Sequence, residues 1–354
     1  MQVFDPVPPT VPLPTQAPET SWPTAEWPTT ASDIGEATVR RELLDAVFPP
    51  NGNFDESGPL GQSLAFVTVQ AGQIVDERYG PTAGVDEALI SWSMAKSITQ
   101  TLVGLLVADG VLTLTDRAPV PEWSDSDDPR HHITVEQLLH MVSGTTFVED
   151  YVDDATSHCL EMLFGEGRHD MAAYVAELPA EVPPGTRFNY SSGTTNLLTG
   201  IIGDLVGRGD TFDAWAQRRL FQPLGMDATL TFDDRGTWVG SSYLHATARD
   251  FAKIGLLYLR DGMWDGSRLL PEGWVDHART MQARNDEGVG YGAHWWIWPP
   301  DESVFYAAGY ETQRILVDPQ RDLVIVRLGK TEIAKAPEVD SWIESVRRTF
   351  PVVA

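Results

Sequence analysis

The chain has 354 residues, with 51 Asp and Glu against 25 Lys and Arg, for a net charge of -26. That length is enough for a large core and suggests two lobes. The charge excludes most nucleic-acid partners, which need basic patches, and disfavours anionic membrane surfaces. A single cysteine, Cys159, rules out an intrachain disulfide and a cysteine-rich metal site, and it reads as a small packed residue.

Residues 1–30 are rich in Pro and Thr and carry Trp22-Pro23 and Trp27-Pro28. Proline fixes φ and removes donors, so this stretch reads as an extended arm, which its tryptophans hold against the body. It lacks the basic and apolar regions of a secretory leader, which points to the cytoplasm. "ASDIGEATVRRELLDAVF" reads as a helix capped by Ser32 or Asp33, with Val39, Leu43, Leu44 and Val47 on its apolar face. "SLAFVTVQAGQIVDERYG" reads as a hairpin turning at Ala71-Gly72, and a helix follows from Ser93 to Asp109, stopped by Gly110. The middle of the chain is mostly helical pattern. β-rich runs return in "SVFYAAG", "TQRILVD" and "DLVIVRLG", the last two joined by a turn at Pro319, and "VDSWIESVRRTF" closes the chain as a helix. This order predicts an α/β (α+β) architecture. Residues 31–110 and 235–354 form one lobe, an antiparallel sheet flanked by helices, and residues 111–234 are inserted as a mainly helical lobe. The active site is expected between the lobes.

Candidate chemistry begins by elimination. There is no G-x-S-x-G, no H-E-x-x-H and no P-loop, and the eight histidines are scattered, so no metal or cofactor is expected. Ser93-Met94-Ala95-Lys96 remains. At i and i+3 on a helix the amine reaches the hydroxyl. Burial and the helix N-terminus both lower an amine's pKa, which would let Lys96 take the Ser93 proton. The competing reading is a helix cap beside a solvated lysine. "PPGTRFNYSSGTTNLL" places Tyr190 at a turn into an apolar helix, where it is core, a cap or a proton donor. "YAAGYETQRILVD" offers a backbone N–H at Gly309-Tyr310 for an oxyanion. Lys330-Thr331-Glu332 reads as a solvated strand end.

These three stretches, in this order, resemble the serine β-lactamase and penicillin-binding-protein superfamily, in its class C-like branch with esterases and D-aminopeptidases. "ITVEQLLHMVSG" (133–144), "PPGTRFNYSS", "ATARDFAKIGLLYLRDG" (246–262) and "GYGAHWW" (290–296) are similar to that branch's segments. "VEDYVDD" (148–154) and Tyr190-Ser191-Ser192 resemble most the 6-aminohexanoate-oligomer (nylon-oligomer) hydrolases. The resemblance implies Ser93 as nucleophile, Lys96 as its base and Tyr190 as the proton shuttle. It implies an oxyanion hole from the N–H groups of Ser93 and Tyr310, with Tyr151 over the substrate amide and a homodimeric state.

Two departures bear on substrate. Ser192 stands where lactamases and peptidases usually carry Asn, and Gly309-Tyr310-Glu311 replaces their cationic third motif. Glu311, if turned inward, would repel the carboxylate of a penicillin or D-Ala-D-Ala peptide. The expected reaction is therefore hydrolysis of a small ester or amide. A β-lactamase or D-amino-acid peptidase is the first alternative, and a non-catalytic binding protein that keeps the fold is the second.

Overall fold

The computed structural model describes residues 2–52, 58, 60–152 and 156–353. Nine strands form one antiparallel sheet: β1 (Gln2–Val7), β2 (Gln62–Gln70), β3 (Gln73–Tyr79), β4 (Met281–Arg284), β5 (Gly290–Tyr291), β6 (Trp296–Ile297), β7 (Phe305–Gly309), β8 (Gln313–Asp318) and β9 (Leu323–Lys330). Their order across the sheet is β1-β4-β5-β6-β7-β8-β9-β2-β3. The chain thus brings its two ends together in one sheet. Ala71 (φ 50°) and Gly72 (φ 77°) both adopt left-handed backbone, as a two-residue hairpin turn between twisted strands requires.

Successive side chains of the central strands point to opposite faces, and both faces are covered. Val67, Val69, Ile315, Val317, Val324 and Val326 join the larger core with α2 (Ala95–Ala108) and α8 (Ala248–Leu259). Phe66, Leu316, Leu323 and Ile325 join a second core with α1 (Ala37–Asp45) and α10 (Ala336–Arg348). Burial on both sides explains why "LVIVRL" reads as a continuous apolar run instead of an alternating one. Truncating Ile325 to Ala in such packing costs about 2–5 kcal/mol.

Between β3 and β4 lie α2, α3 (Val135–Leu139), α4 (His158–Phe164), α5 (Met171–Ala176), α6 (Ser192–Val206), α7 (Asp210–Ala216), α8 and α9 (Trp274–Arg279). α3 opens with a capping box in which Thr134 Oγ1 accepts from Gln137 N and the Gln137 side chain accepts from Thr134 N. None of the described helices is long and apolar enough to cross a membrane.

Several local expectations are corrected. The first helix begins at Ala37, and neither Ser32 nor Asp33 caps it. Val39 on this helix is exposed, and its neighbour Arg40 is buried instead. Arg40 is held by an ion pair of 2.7 Å to Asp76 and by the Phe350 ring at 4.3 Å. A guanidinium can be buried when its charge and donors are matched, which periodicity does not report. Thr331 is not solvated. Its hydroxyl donates to Leu60 O and accepts from Arg327, so only Lys330 and Glu332 around it are exposed. The proline-rich arm contributes β1 to the sheet edge. Trp22 stacks on Trp264 at 5.1 Å, and the Trp264 indole donates to Thr24.

Candidate active site

Ser93 lies in a 3-10 turn, Trp92–Met94, that leads directly into α2. The turn is fixed from outside the helix. Ser91 N donates to Leu244 O, and Gly309 at the end of β7 approaches so closely that a Cβ there would stand 2.4 Å from Ser91 O. Neither Ser91 nor Met94 makes a side-chain cap at the two helix starts. Ser93 is therefore free of the capping role that the competing sequence reading gave it. It is half-buried and faces a cleft.

Lys96 is buried on the first turn of α2. Its Nζ lies 2.9 Å from Ser93 Oγ, 2.9 Å from Ser192 Oγ and 3.0 Å from Ser241 O. Burial lowers its pKa, and the charge of Glu149 pulls the other way. The three contacts suit both protonation states. An ammonium donates to all three oxygens. A neutral amine donates to Ser192 Oγ and Ser241 O and turns its lone pair to the Ser93 proton.

Ser192, the first residue of α6, is fixed in turn by Glu149. Its Oγ donates to Glu149 Oε1 at 2.6 Å and its N–H to Oε2 at 2.7 Å. The Tyr151 hydroxyl also donates to Oε1, at 2.8 Å. Because the Ser192 proton points to Glu149, its oxygen is left to accept from Lys96. The residues 148–152 of the "VEDYVDD" stretch are described and place Glu149 and Tyr151 here. Asp153 and Asp154 of that stretch lie outside the described residues.

Tyr190 lies next to the amine, with Lys96 Nζ 4.9 Å from its ring centroid, and packs on Trp296 at 5.2 Å. Burial first, and then the charge of Glu149, raise its pKa well above that of an ordinary phenol, so it stays a protonated phenol. Tyr310 follows Gly309 and meets Trp92 and Tyr151 edge-on at 5.7 and 5.4 Å. Glu311 is turned aside, with its carboxylate accepting from the Trp92 indole at 2.9 Å, and it lines neither chamber beside Ser93. Glu311 (φ 58°) and Thr312 (φ 64°) both carry left-handed backbone, which is rare for a β-branched residue. The buried Arg327 guanidinium holds that bend by donating to both carbonyls and to the Thr312 hydroxyl.

Ser93 opens on two spaces. One is a cleft of about 770 Å³ bounded by Tyr190, Trp296 and Tyr310 near the serine and by Arg314 and Arg348 further out. The other is a chamber of about 140 Å³ lined by Trp92, Cys159, Leu160, Leu163 and Phe164. Ser93, Tyr151 and Tyr310 border both. The two arginines of the cleft are paired, Arg314 with Asp340 and Arg348 with Glu344.

Ser93, Lys96, Tyr190, Ser192, Tyr151 and Tyr310 are thus brought together, whereas the Glu311 side chain is turned aside onto Trp92. Sequence reasoning missed Glu149 and the Ser241 carbonyl. Glu149 left a signal, two residues before Tyr151 in a segment already singled out. Ser241 left none, since a backbone carbonyl has no side-chain signature. Cys159 is fully buried, with its sulfur 3.7 Å from Glu149 Oε1.

The fold, with a serine and a buried lysine at the start of one helix, places the chain in a known protein family. A beta-lactamase family profile matches residues 59–342, and the chain belongs to that family. The 6-aminohexanoate-dimer hydrolase of Paenarthrobacter ureafaciens is 26% identical over 287 residues, covering 75% of this chain and 71% of that relative. Among solved structures, a penicillin-binding protein homologue from Caulobacter crescentus has a TM-score of 0.69 at 19% identity, covering 88% of this chain and 97% of that one. A family VIII carboxylesterase has a TM-score of 0.66 at 17% identity, covering 89% and 98%. These structural likenesses establish the shared fold.

Proposed function

We propose that the chain is a serine hydrolase that cleaves small esters or amides through an acyl-enzyme on Ser93. The observation that carries this reading is the Ser93–Lys96 contact of 2.9 Å, made by a buried amine whose other two partners leave its lone pair aimed at the serine. Neutral Lys96 takes the Ser93 proton as Oγ attacks the carbonyl carbon. The developing oxyanion is received by the backbone N–H groups of Ser93 and Tyr310. Tyr190 passes a proton to the leaving alcohol or amine as the carbon–heteroatom bond breaks and is itself reprotonated from Lys96. Water then attacks the ester on Ser93, giving its proton back through the same pair, and the free acid departs.

Substrate class follows from charge. Both cations lining the cleft are already paired, Arg314 with Asp340 and Arg348 with Glu344. A substrate carboxylate, as on a β-lactam, has no unpaired cation to meet among the described lining residues. The small apolar chamber suits a short acyl chain. The 6-aminohexanoate-dimer hydrolase and carboxylesterase relatives support the amide and ester halves of this reading respectively. Incubation with p-nitrophenyl acetate and with nitrocefin, followed by mass spectrometry of the Ser93 peptide, tests it. Acetyl-Ser93 and p-nitrophenol release are expected. Folded protein with neither product, or fast nitrocefin turnover with slow ester turnover, would overturn the respective part.

A further inference from the structure

Away from Ser93, two histidines face each other nitrogen to nitrogen. His140 follows the last turn of α3, and His277 lies on α9, 137 residues later. Their Nε2 atoms are 3.2 Å apart. The His140 Nδ1–H is committed to Gly292 O at 3.0 Å, so the Nε2 of the neutral ring carries a lone pair. Two groups are aimed at that single lone pair: His277 Nε2 and the Gln282 side-chain amide, the latter at 2.9 Å. One lone pair in the ring plane cannot serve both donors well. Glu136, one helical turn before His140, brings Oε1 to 3.9 Å from His277 Nε2. The ligand atoms of Glu136, His140 and His277 all lie within 4.8 Å of one another.

We infer that Glu136, His140 and His277 form a binding site for a divalent transition-metal ion, zinc in the first instance, with the Gln282 amide or water as fourth ligand. Two nitrogens held about 2.0–2.1 Å from a tetrahedral zinc stand about 3.3 Å apart, close to the spacing found here. The Gly292 carbonyl fixes the His140 tautomer from behind, as second-shell acceptors do at zinc sites. His277 Nδ1 has no such partner, which makes this a weaker site than a fully buttressed one. Glu136 is partly exposed and can swing inward, which gives the ion a way in. The ion would be structural. It would tie the end of α3, whose next residues Met141 and Val142 pack in the cluster with Tyr190 and Tyr291, to α9 and β4. It stands apart from the Ser93 chemistry and does not depend on it.

The test uses the whole chain, stripped with a chelator, exposed to zinc chloride and desalted. Elemental analysis is expected to give one zinc per chain, with a higher melting temperature than the stripped protein. His277→Phe keeps ring volume beside Trp274 and is expected to lose the ion and the melting shift. Glu136→Gln is expected to weaken binding at least about tenfold in competition with a zinc indicator. X-ray absorption at the zinc edge of the wild-type protein is expected to show two imidazole nitrogens, a readout that needs no variant to fold. No zinc retained by folded wild type, a spectrum without imidazole ligands, or undiminished zinc in His277→Phe would overturn the inference.

Discussion

Glu149 reaches Lys96 through one hydroxyl, and Glu149→Gln isolates its charge. Hydrogen bonds of 2.9 Å from Lys96 to Ser192 and 2.6 Å from Ser192 to Glu149 put the amine and the carboxylate oxygen about 5 Å apart. At an effective dielectric of ~20, a unit charge at that distance is worth about 3 kcal/mol. Glu149 is only partly buried, so solvent reduces this to on the order of 1–2 kcal/mol, or about one pH unit. The sign is fixed by which form works. In the proposed mechanism the base is neutral Lys96; its neutral fraction grows as pH rises through its pKa, and Glu149 raises that pKa against the effect of burial. Removing the charge lowers the pKa further, so the acid limb of kcat/KM moves to lower pH by about one unit. The glutamine also turns an amide N–H toward one of the two Ser192 donors, which costs about 1–3 kcal/mol of stability. The assay is kcat/KM for p-nitrophenyl acetate from about pH 5 to 10, with Glu149→Asp as the charge-retaining control. A residue that only braced the fold would scale the profile without moving it. An acid limb that stays in place or moves upward in Glu149→Gln would refute the coupling.

Lys96→Ala should lower kcat/KM by about 10²–10⁴ and slow acylation of Ser93 to the same degree, while circular dichroism reports the same fold. Tyr190→Phe should cost p-nitroacetanilide more than p-nitrophenyl acetate, because an amine leaving group needs the proton that p-nitrophenolate does not; equal losses would remove Tyr190 from that step. Leu163→Trp fills the 140 Å³ chamber and should suppress turnover of the butyrate ester while sparing the acetate, read as the ratio of the two rates. Arg40→Ala leaves Asp76 buried without its partner and should cost about 3–5 kcal/mol in denaturant unfolding, with esterase kinetics at low temperature unchanged.

What the sequence determined was local. The turn at Ala71-Gly72, the capping box at Thr134 and Gln137, the β-rich runs that became β7 to β9 and the approach of Lys96 to Ser93 all depend on residues close in the chain. Their physics is turn chemistry, periodicity and one helical turn. The family-like segments, spread from Ser93 to Gly309, carried the fold class and the candidate residues Tyr151, Tyr190, Ser192 and Tyr310, but neither Glu149 nor the Ser241 carbonyl. The tertiary structure alone decided what depends on distant partners. Arg40 goes inside because Asp76 and Phe350 meet it there. Thr331 is buried by Arg327 and Leu60. Glu311 turns from the cleft because the Trp92 indole N–H, 219 residues earlier, donates to its carboxylate. Glu149 acts on Lys96 only because α6 places Ser192 between them, and His140 meets His277 only because α9 packs against the end of α3. Burial and electrostatic coupling are properties of the assembled neighbourhood. A chain read in order names the groups, and folding determines which of them share a hydrogen bond.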